Sequence, residues 1–284
     1  MAEMLPSQWA LVTSFMGYLA AFYAITPQRP SPLRLAASRE AISIFHCTSM
    51  TVLTAICLQK ELPAAIAQGW EQKGRVPLVA DRDLPIITTK STFANSLSAI
   101  ETAYLLQDSL VLLLAAQTKQ VFLHKKTSRP GKAPAKALRG LNLRHLGWHH
   151  ALLGSAFVVL QIYIARGKEK GILIIVAMML MNASSPFGTL RWFLINFRPD
   201  LKRTIKALTV AYLIAFGTFR VGLLYYILRA FGGQMDISAL KAFHRLRLPC
   251  KLGMSSLGLA NTAWFLNASR SFVLRELSFR RTAD

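Results

Sequence analysis

Residues 171–195 read GILIIVAMMLMNASSPFGTLRWFLI, an apolar run long enough to cross a bilayer, with a polar, proline-bearing interruption at Asn182–Pro186. A spanning helix needs roughly 17–25 predominantly apolar residues. The same reading extends outward to blocks at about 8–25, 41–58, 95–116, 147–165, 207–229 and 252–269. The expected fold is therefore an all-α integral membrane protein, a bundle of about seven transmembrane helices around an interior cavity. Composition agrees: of 284 residues, 53% are hydrophobic and 17% charged, whereas soluble domains carry about a quarter charged residues.

The formal net charge of +21 raises the possibility of nucleic acid. Placement argues against it, because Lys and Arg sit in short connectors beside the apolar blocks and are not interleaved with aromatics on a soluble face. Segments 26–40, 117–146, 196–206 and the C-terminus hold 3, 8, 4 and 4 of them, 19 in all. The N-terminus and segments 59–94, 166–170 and 229–251 hold 0, 5, 3 and 5, or 13. This bias predicts a lumenal N-terminus, a cytosolic C-terminus and a cytosolic 117–146 connector. That connector's KKTSRPGKAPAKALRG run is too polar to fold alone and suits a loop near anionic headgroups. Segment 59–94 has room for a short interfacial helix around Trp70. No internal repeat is visible.

Cys47, Cys57 and Cys250 show neither zinc spacing nor a disulfide framework and read as small packing residues. No metal site and no resident cofactor are expected. Residues 1–7 lack a basic stretch, so the first block reads as a retained helix. The sequons at Asn182 and Asn267 fall in or against helices and are expected to stay unused.

Ionisable side chains are expensive in lipid, by about 2.5–3.5 kcal/mol at mid-depth, and so mark candidate sites. His46, Glu101, Asp108, His149, His150, Arg191 and Arg220 qualify. Glu101, Tyr104 and Asp108 share one helical face at i, i+3 and i+7. Glu101 is expected at the interface, with Asp108 about 10 Å deeper. Adjacent His149 and His150 diverge by about 100° around their helix, which leaves acid–base chemistry and an interfacial belt equally open. Pro186 should kink or break its helix beside Ser184 and Ser185. Arg191 should be paired, because a guanidinium does not shed its charge.

In order, SREAISIFHC (38–47), AYLLQDSLVLL (103–113), the His149–His150 pair, SSPFGTLRWFL (184–194), FRVGLLYYILR (219–229) and LANTAWFLNASR (259–270) resemble the TLC family, the TRAM, Lag1 and CLN8 homology domain. The resemblance is nearer to its TLC-domain-containing branch than to its ceramide synthases. It implies an N-terminal helix and connector over 1–37, a TLC domain over 38–270 and a basic tail over 271–284. It also implies an endoplasmic reticulum or related membrane, and membrane lipids as partners; the oligomeric state is left open.

Two functions follow. One is a protein that binds lipid or adjusts membrane lipid composition, its cavity lined by His46, Tyr104, Asn182, Ser184, Ser185, Arg191, Arg220, Asn261 and Trp264. The other is a ceramide synthase-like N-acyltransferase with acyl-CoA as co-substrate, using His149, His150 and Asp108. The synthases carry paired aspartates on the next helix, where this chain reads Met181, Asn182, Ala183, Ser184 and Ser185. The glutamate usual before Ser-Thr-Pro in the other branch is missing too. Without those carboxylates a histidine base lacks an orienting partner there. His46, Asp108 and at least one of the paired histidines are expected to share one cavity.

Overall fold

A computed structural model describes residues 5–28, 31–72, 84–126 and 143–281, and its regular structure is helical throughout. α1 (Pro6–Ile25) starts on a proline, whose preset φ suits a first helical position where no amide donor is needed. α2 (Pro32–Gln72) runs on through Pro63, so no separate helix forms around Trp70. At 1.5 Å per residue its 41 residues measure about 60 Å, twice the hydrocarbon thickness, so part of α2 must project beyond the bilayer. The short α3 (Pro85–Thr88) precedes α4 (Thr92–Lys126) and α5 (Leu143–Ala165). Most of the basic 117–146 connector, residues 127–142, lies outside the described residues.

The deciding apolar run forms α6 (Ile172–Met179), a 3₁₀ segment (Leu180–Ser184) and α7 (Ser185–Phe197). Gly171 opens α6 with φ +72°, a left-handed conformation natural to glycine. The 3₁₀ turn follows from Pro186. That residue cannot donate to the Asn182 carbonyl four positions back, and the Ser185 amide takes the acceptor instead. The chain tightens here without breaking.

A short connector carries the exposed Arg198–Asp200 pair at 3.0 Å; Arg198 donates to the Asp200 carboxylate and holds its pKa below the ordinary value. α8 (Lys202–Phe216) then passes through a π-helical segment (Gly217–Gly222) into α9 (Leu223–Gly233). α10 (Ala239–Arg245) folds back on α9, and α11 (Leu248–Arg281) continues helically past residue 270.

Among the described residues five helical spans are long and apolar enough to cross a membrane: Pro6–Ile25, Leu33–Gln68, Thr92–Leu114, Ile172–Phe197 and Lys202–Gly233. His149–Ala165 is a shorter apolar helix, while α11 has the length without the apolarity. All seven expected blocks fall on helices. The protein is thus a multi-pass membrane protein.

Its apolar side chains point both ways. Met50, Leu97, Ile172, Leu173 and Val176 form a core where α2, α4 and α6 meet, while Phe45, Leu113, Leu152, Ile214 and Leu259 are exposed, as lipid-facing residues should be. Cys47 and Cys57 are buried as packing residues, but Cys250 is exposed. Unusually many polar side chains are interior, Arg39, Glu40, His46, Glu101, Gln107 and Asp108 among them.

Candidate functional site

Those polar groups reach the interior as stripes at helical spacing. α2 contributes Arg39, Glu40, Ser43 and Cys47; α4 contributes Glu101, Tyr104 and Leu105; α5 contributes Leu146, His149, His150 and Leu153. α7 adds Ser185, Gly188, Thr189 and Trp192, and α8 with the π segment adds Tyr212, Phe216 and Arg220. Steps of three and four keep each set on one face. With Asn182 and Trp264 they enclose a cavity of ≈ 410 Å³.

Arg39 anchors one wall. Its Nε and Nη2 donate to Asp108 Oδ1 and Oδ2 at 2.7 and 2.8 Å, a bidentate pair, and Nη1 donates to Glu40 Oε1. Glu40 Oε2 accepts from Thr189 Oγ1 at 2.9 Å. One guanidinium thereby joins α2 to α4 and, through Glu40, to α7. The charge count placed Arg39 in a connector, where it would be solvated; the structure buries it at 6% exposure. Paired acceptors inside the bundle make that burial tolerable.

A second network joins α1, α2, α4 and the 3₁₀ segment. His46 is wholly buried, stacked on Tyr104 with centroids 3.8 Å apart and planes 11° from parallel. Its Nδ1 lies 2.7 Å from Tyr18 Oη on α1, and its Nε2 lies 3.1 Å from Glu101 Oε2. An ionised carboxylate only accepts, so Nε2 carries a proton, while the Tyr18 hydroxyl, which can donate or accept, engages Nδ1. The Nε2 proton is assigned from its partner. Asn182 Nδ2 donates to the same Glu101 oxygen at 3.0 Å. Glu101 is therefore buried and lines the cavity, contrary to its expected place at the interface; the histidine and the amide supply the partners that water would have supplied. Tyr18→Phe should leave Nδ1 buried without its hydrogen-bond partner and cost about 1–3 kcal/mol. A lowered unfolding midpoint in detergent would show it, and an unchanged midpoint would count against this network.

The paired histidines divide as their 100° offset requires. His149 meets Trp264 edge-on at 5.2 Å, and His150 Nδ1 comes within 3.0 Å of Asp108 Oδ2. The latter is an ion-pair distance without hydrogen-bond alignment, and Nδ1 has no aligned partner. Asp108 is already committed to Arg39, so the contact with His150 is the weaker of its two.

Arg220 is held otherwise. Its Nε donates to Ser184 Oγ at 2.8 Å and its Nη2 to Ser185 Oγ at 3.0 Å, with its Cζ 5.0 Å from the Phe216 ring centroid. The π segment points it there. The Leu223 amide reaches back five residues to the Thr218 carbonyl, so one extra residue is accommodated in the turn that bears Arg220. A Cβ on Gly217 would stand 3.3 Å from the Phe265 ring, so glycine lets α11 approach.

The expected residues are thus distributed around one centre, and not all of them touch it. Tyr104, His149, His150, Asn182, Ser185, Arg220 and Trp264 line the cavity. His46, Asp108 and Ser184 stand immediately behind it, bonded to lining residues. Asn261 is buried on α11 with Nδ2 4.0 Å from Met181 Sδ, outside the lining. Arg191 also lies outside, on the opposite side of α7, with Nε donating to Thr209 Oγ1 at 2.8 Å on α8. At about 100° per residue it points roughly 100–160° away from Ser185, Thr189 and Trp192, and so toward α8.

Arg39, Glu40, Thr189, Tyr212 and Phe216 were not singled out as site residues from the sequence. For the first two the signal was available: Arg39 lies four residues before Ser43 and seven before His46, on the same face. Among the described residues no group of three His, Cys, Asp or Glu side chains has the proximity of a metal site.

No curated protein and no solved structure gives a match. The model of the TLC domain family matches residues 37–270, which include every lining residue of the cavity. The chain belongs to the TLC domain family.

Proposed function

We propose that this protein binds a membrane lipid with its headgroup in the interior cavity, and through that binding influences membrane lipid composition. The observation that carries this reading is a ≈ 410 Å³ cavity with charged and hydroxyl groups on its walls, set inside a bundle whose outer surface is apolar. That volume lies within the range of small-ligand pockets. Leu105, Leu146, Leu153 and Trp264 give acyl carbons an apolar contact, and the polar stripes give the headgroup partners. The membrane is proposed to be that of the endoplasmic reticulum or a related compartment, with a lumenal N-terminus and a cytosolic C-terminus.

Filling the cavity tests the reading. Leu153→Trp adds bulk at a lining position without touching the charged networks. Lipid retained by the purified protein, measured by native mass spectrometry, should fall several-fold relative to wild type. Equal retention by a folded variant would count against a cavity-bound lipid.

One observation favours a second reading: Asp108 stands 3.0 Å from His150, a carboxylate beside a cavity-lining imidazole. In an acyl transfer from acyl-CoA to an amine, the amine nitrogen would attack the thioester carbon as His150 takes its proton, and the C–S bond would break. The imidazolium, steadied by Asp108, would return the proton to the departing CoA thiolate. The bidentate claim of Arg39 on Asp108 ranks this reading second. Acyl-CoA turnover by wild-type protein that is lost in the His149→Ala/His150→Ala variant would promote it; no turnover would leave lipid binding alone.

A further inference from the structure

Within the lipid-binding reading, on which this inference rests, the cavity holds an unusual pair of charges. Glu101 uses only Oε2, for His46 and Asn182, and Oε1 has no hydrogen bond among the described residues. His46 cannot serve Oε1 as well, because its two ring nitrogens are already engaged by Tyr18 Oη and Glu101 Oε2. Arg220 spends two of its five donors on serine hydroxyls and has no carboxylate within 4.0 Å among the described residues. Both groups line the same cavity, and no ion pair joins them.

The 3₁₀ segment and the first residue of α7 keep them apart. Asn182 holds Glu101, while Ser185, three residues on, holds Arg220. Residues i and i+3 eclipse in a 3₁₀ turn at about 2.0 Å rise per residue, so the two holding side chains share a face about 6 Å apart along the axis. The other cavity-wall charges pair with one another: Arg39 with Asp108 and Glu40, and Glu40 also accepts from Thr189.

A charge left open in a low-dielectric interior is costly, and a permanently charged guanidinium cannot escape that cost by losing its proton. A ligand with a cation and an anion separated by a short spacer satisfies both groups together. A purely anionic ligand would satisfy Arg220 but leave Glu101 repelling it, and a neutral one would satisfy neither. We infer that the cavity selects a zwitterionic lipid headgroup, its primary ammonium donating to Glu101 Oε1 and its phosphate accepting from the free N–H groups of Arg220.

The test uses full-length protein in nanodiscs and four probes: dioleoyl phosphatidylethanolamine, dioleoyl phosphatidic acid, oleylamine and diolein. Phosphatidylethanolamine should bind wild type about tenfold or more tightly than each of the others, the scale of one hydrogen bond to a charged group. Arg220→Gln should reduce its affinity to the oleylamine level, and Glu101→Gln to the phosphatidic acid level. Arg220→Lys should restore part of the loss. Soluble phosphoethanolamine should compete weakly, because it lacks the acyl contacts.

Phosphatidic acid binding wild type as well as phosphatidylethanolamine would overturn the inference, and this comparison needs no variant to fold. Preference for phosphatidylethanolamine that survives both substitutions would overturn it too. Displacement of the lipid by phosphoethanolamine at equal concentration would support the charge pairing and assign the site to a soluble zwitterion. Diolein binding as tightly as the charged lipids would overturn this inference alone, whereas binding of none of the four would overturn lipid binding as well.

Discussion

Arg39→Met should destabilise the protein by about 3–5 kcal/mol, the cost of breaking a buried charge network by removing one partner. Asp108, 1% exposed, would lose two charge-assisted hydrogen bonds and Glu40 would lose one. The network spans α2, α4 and α7, so the effect should appear as loss of the whole bundle and not as fraying of one helix. Arg39→Lys keeps the charge but cannot make the bidentate fork, and an intermediate loss follows. Adding Glu40→Gln and Asp108→Asn to Arg39→Met removes the stranded charges and should recover much of the stability. Unfolding midpoints of the four proteins in the same lipid provide the check; an Arg39→Met midpoint equal to wild type would refute the network's structural weight.

Gly232→Ala should also destabilise, by about 1–3 kcal/mol, at a place remote from the cavity. A Cβ there would stand 2.7 Å from the Ile237 carbonyl oxygen and 3.2 Å from the Ala242 Cβ, where α9 turns into α10. The first obstacle is backbone, so the turn itself must move. The neighbouring Gly233 has nothing within 4 Å of the same position, and Gly233→Ala should be neutral or slightly stabilising through helix propensity. Lipid binding should survive in Gly232→Ala at temperatures below its lowered midpoint. Equal midpoints for the two variants would contradict the close-packed corner.

Much of this was legible in the sequence because lipid imposes a coarse rule: a span must be long, apolar and helical. All seven apolar blocks became helices, and the helical phase of Glu101, Tyr104 and Asp108 put them on one inward side. Other features were less legible, because charge near a block end is ambiguous. Arg39 could serve as a topology signal or a buried anchor, and only Asp108, 69 residues away, decides between them. Glu101 was read outward because its partners, His46 and Asn182, come from two other helices. The consequence of Pro186 was legible as a disturbance, but its form as a 3₁₀ turn depended on the Ser185 amide taking the freed carbonyl. Nothing in the apolar pattern announced the π segment that aims Arg220. The role of α1 was equally hidden, since Tyr18 lies outside the matched domain and acts through His46.

Photo-crosslinking with a lipid that carries its reactive group on the acyl carbons next to the headgroup tests most directly whether the cavity holds lipid. Adducts mapped by peptide mass spectrometry should concentrate on the cavity residues Leu105, Leu153 and Trp264, and should fall in Leu153→Trp. Adducts confined to outward residues such as Phe45, Leu113 and Ile214, with none at the cavity, would contradict it.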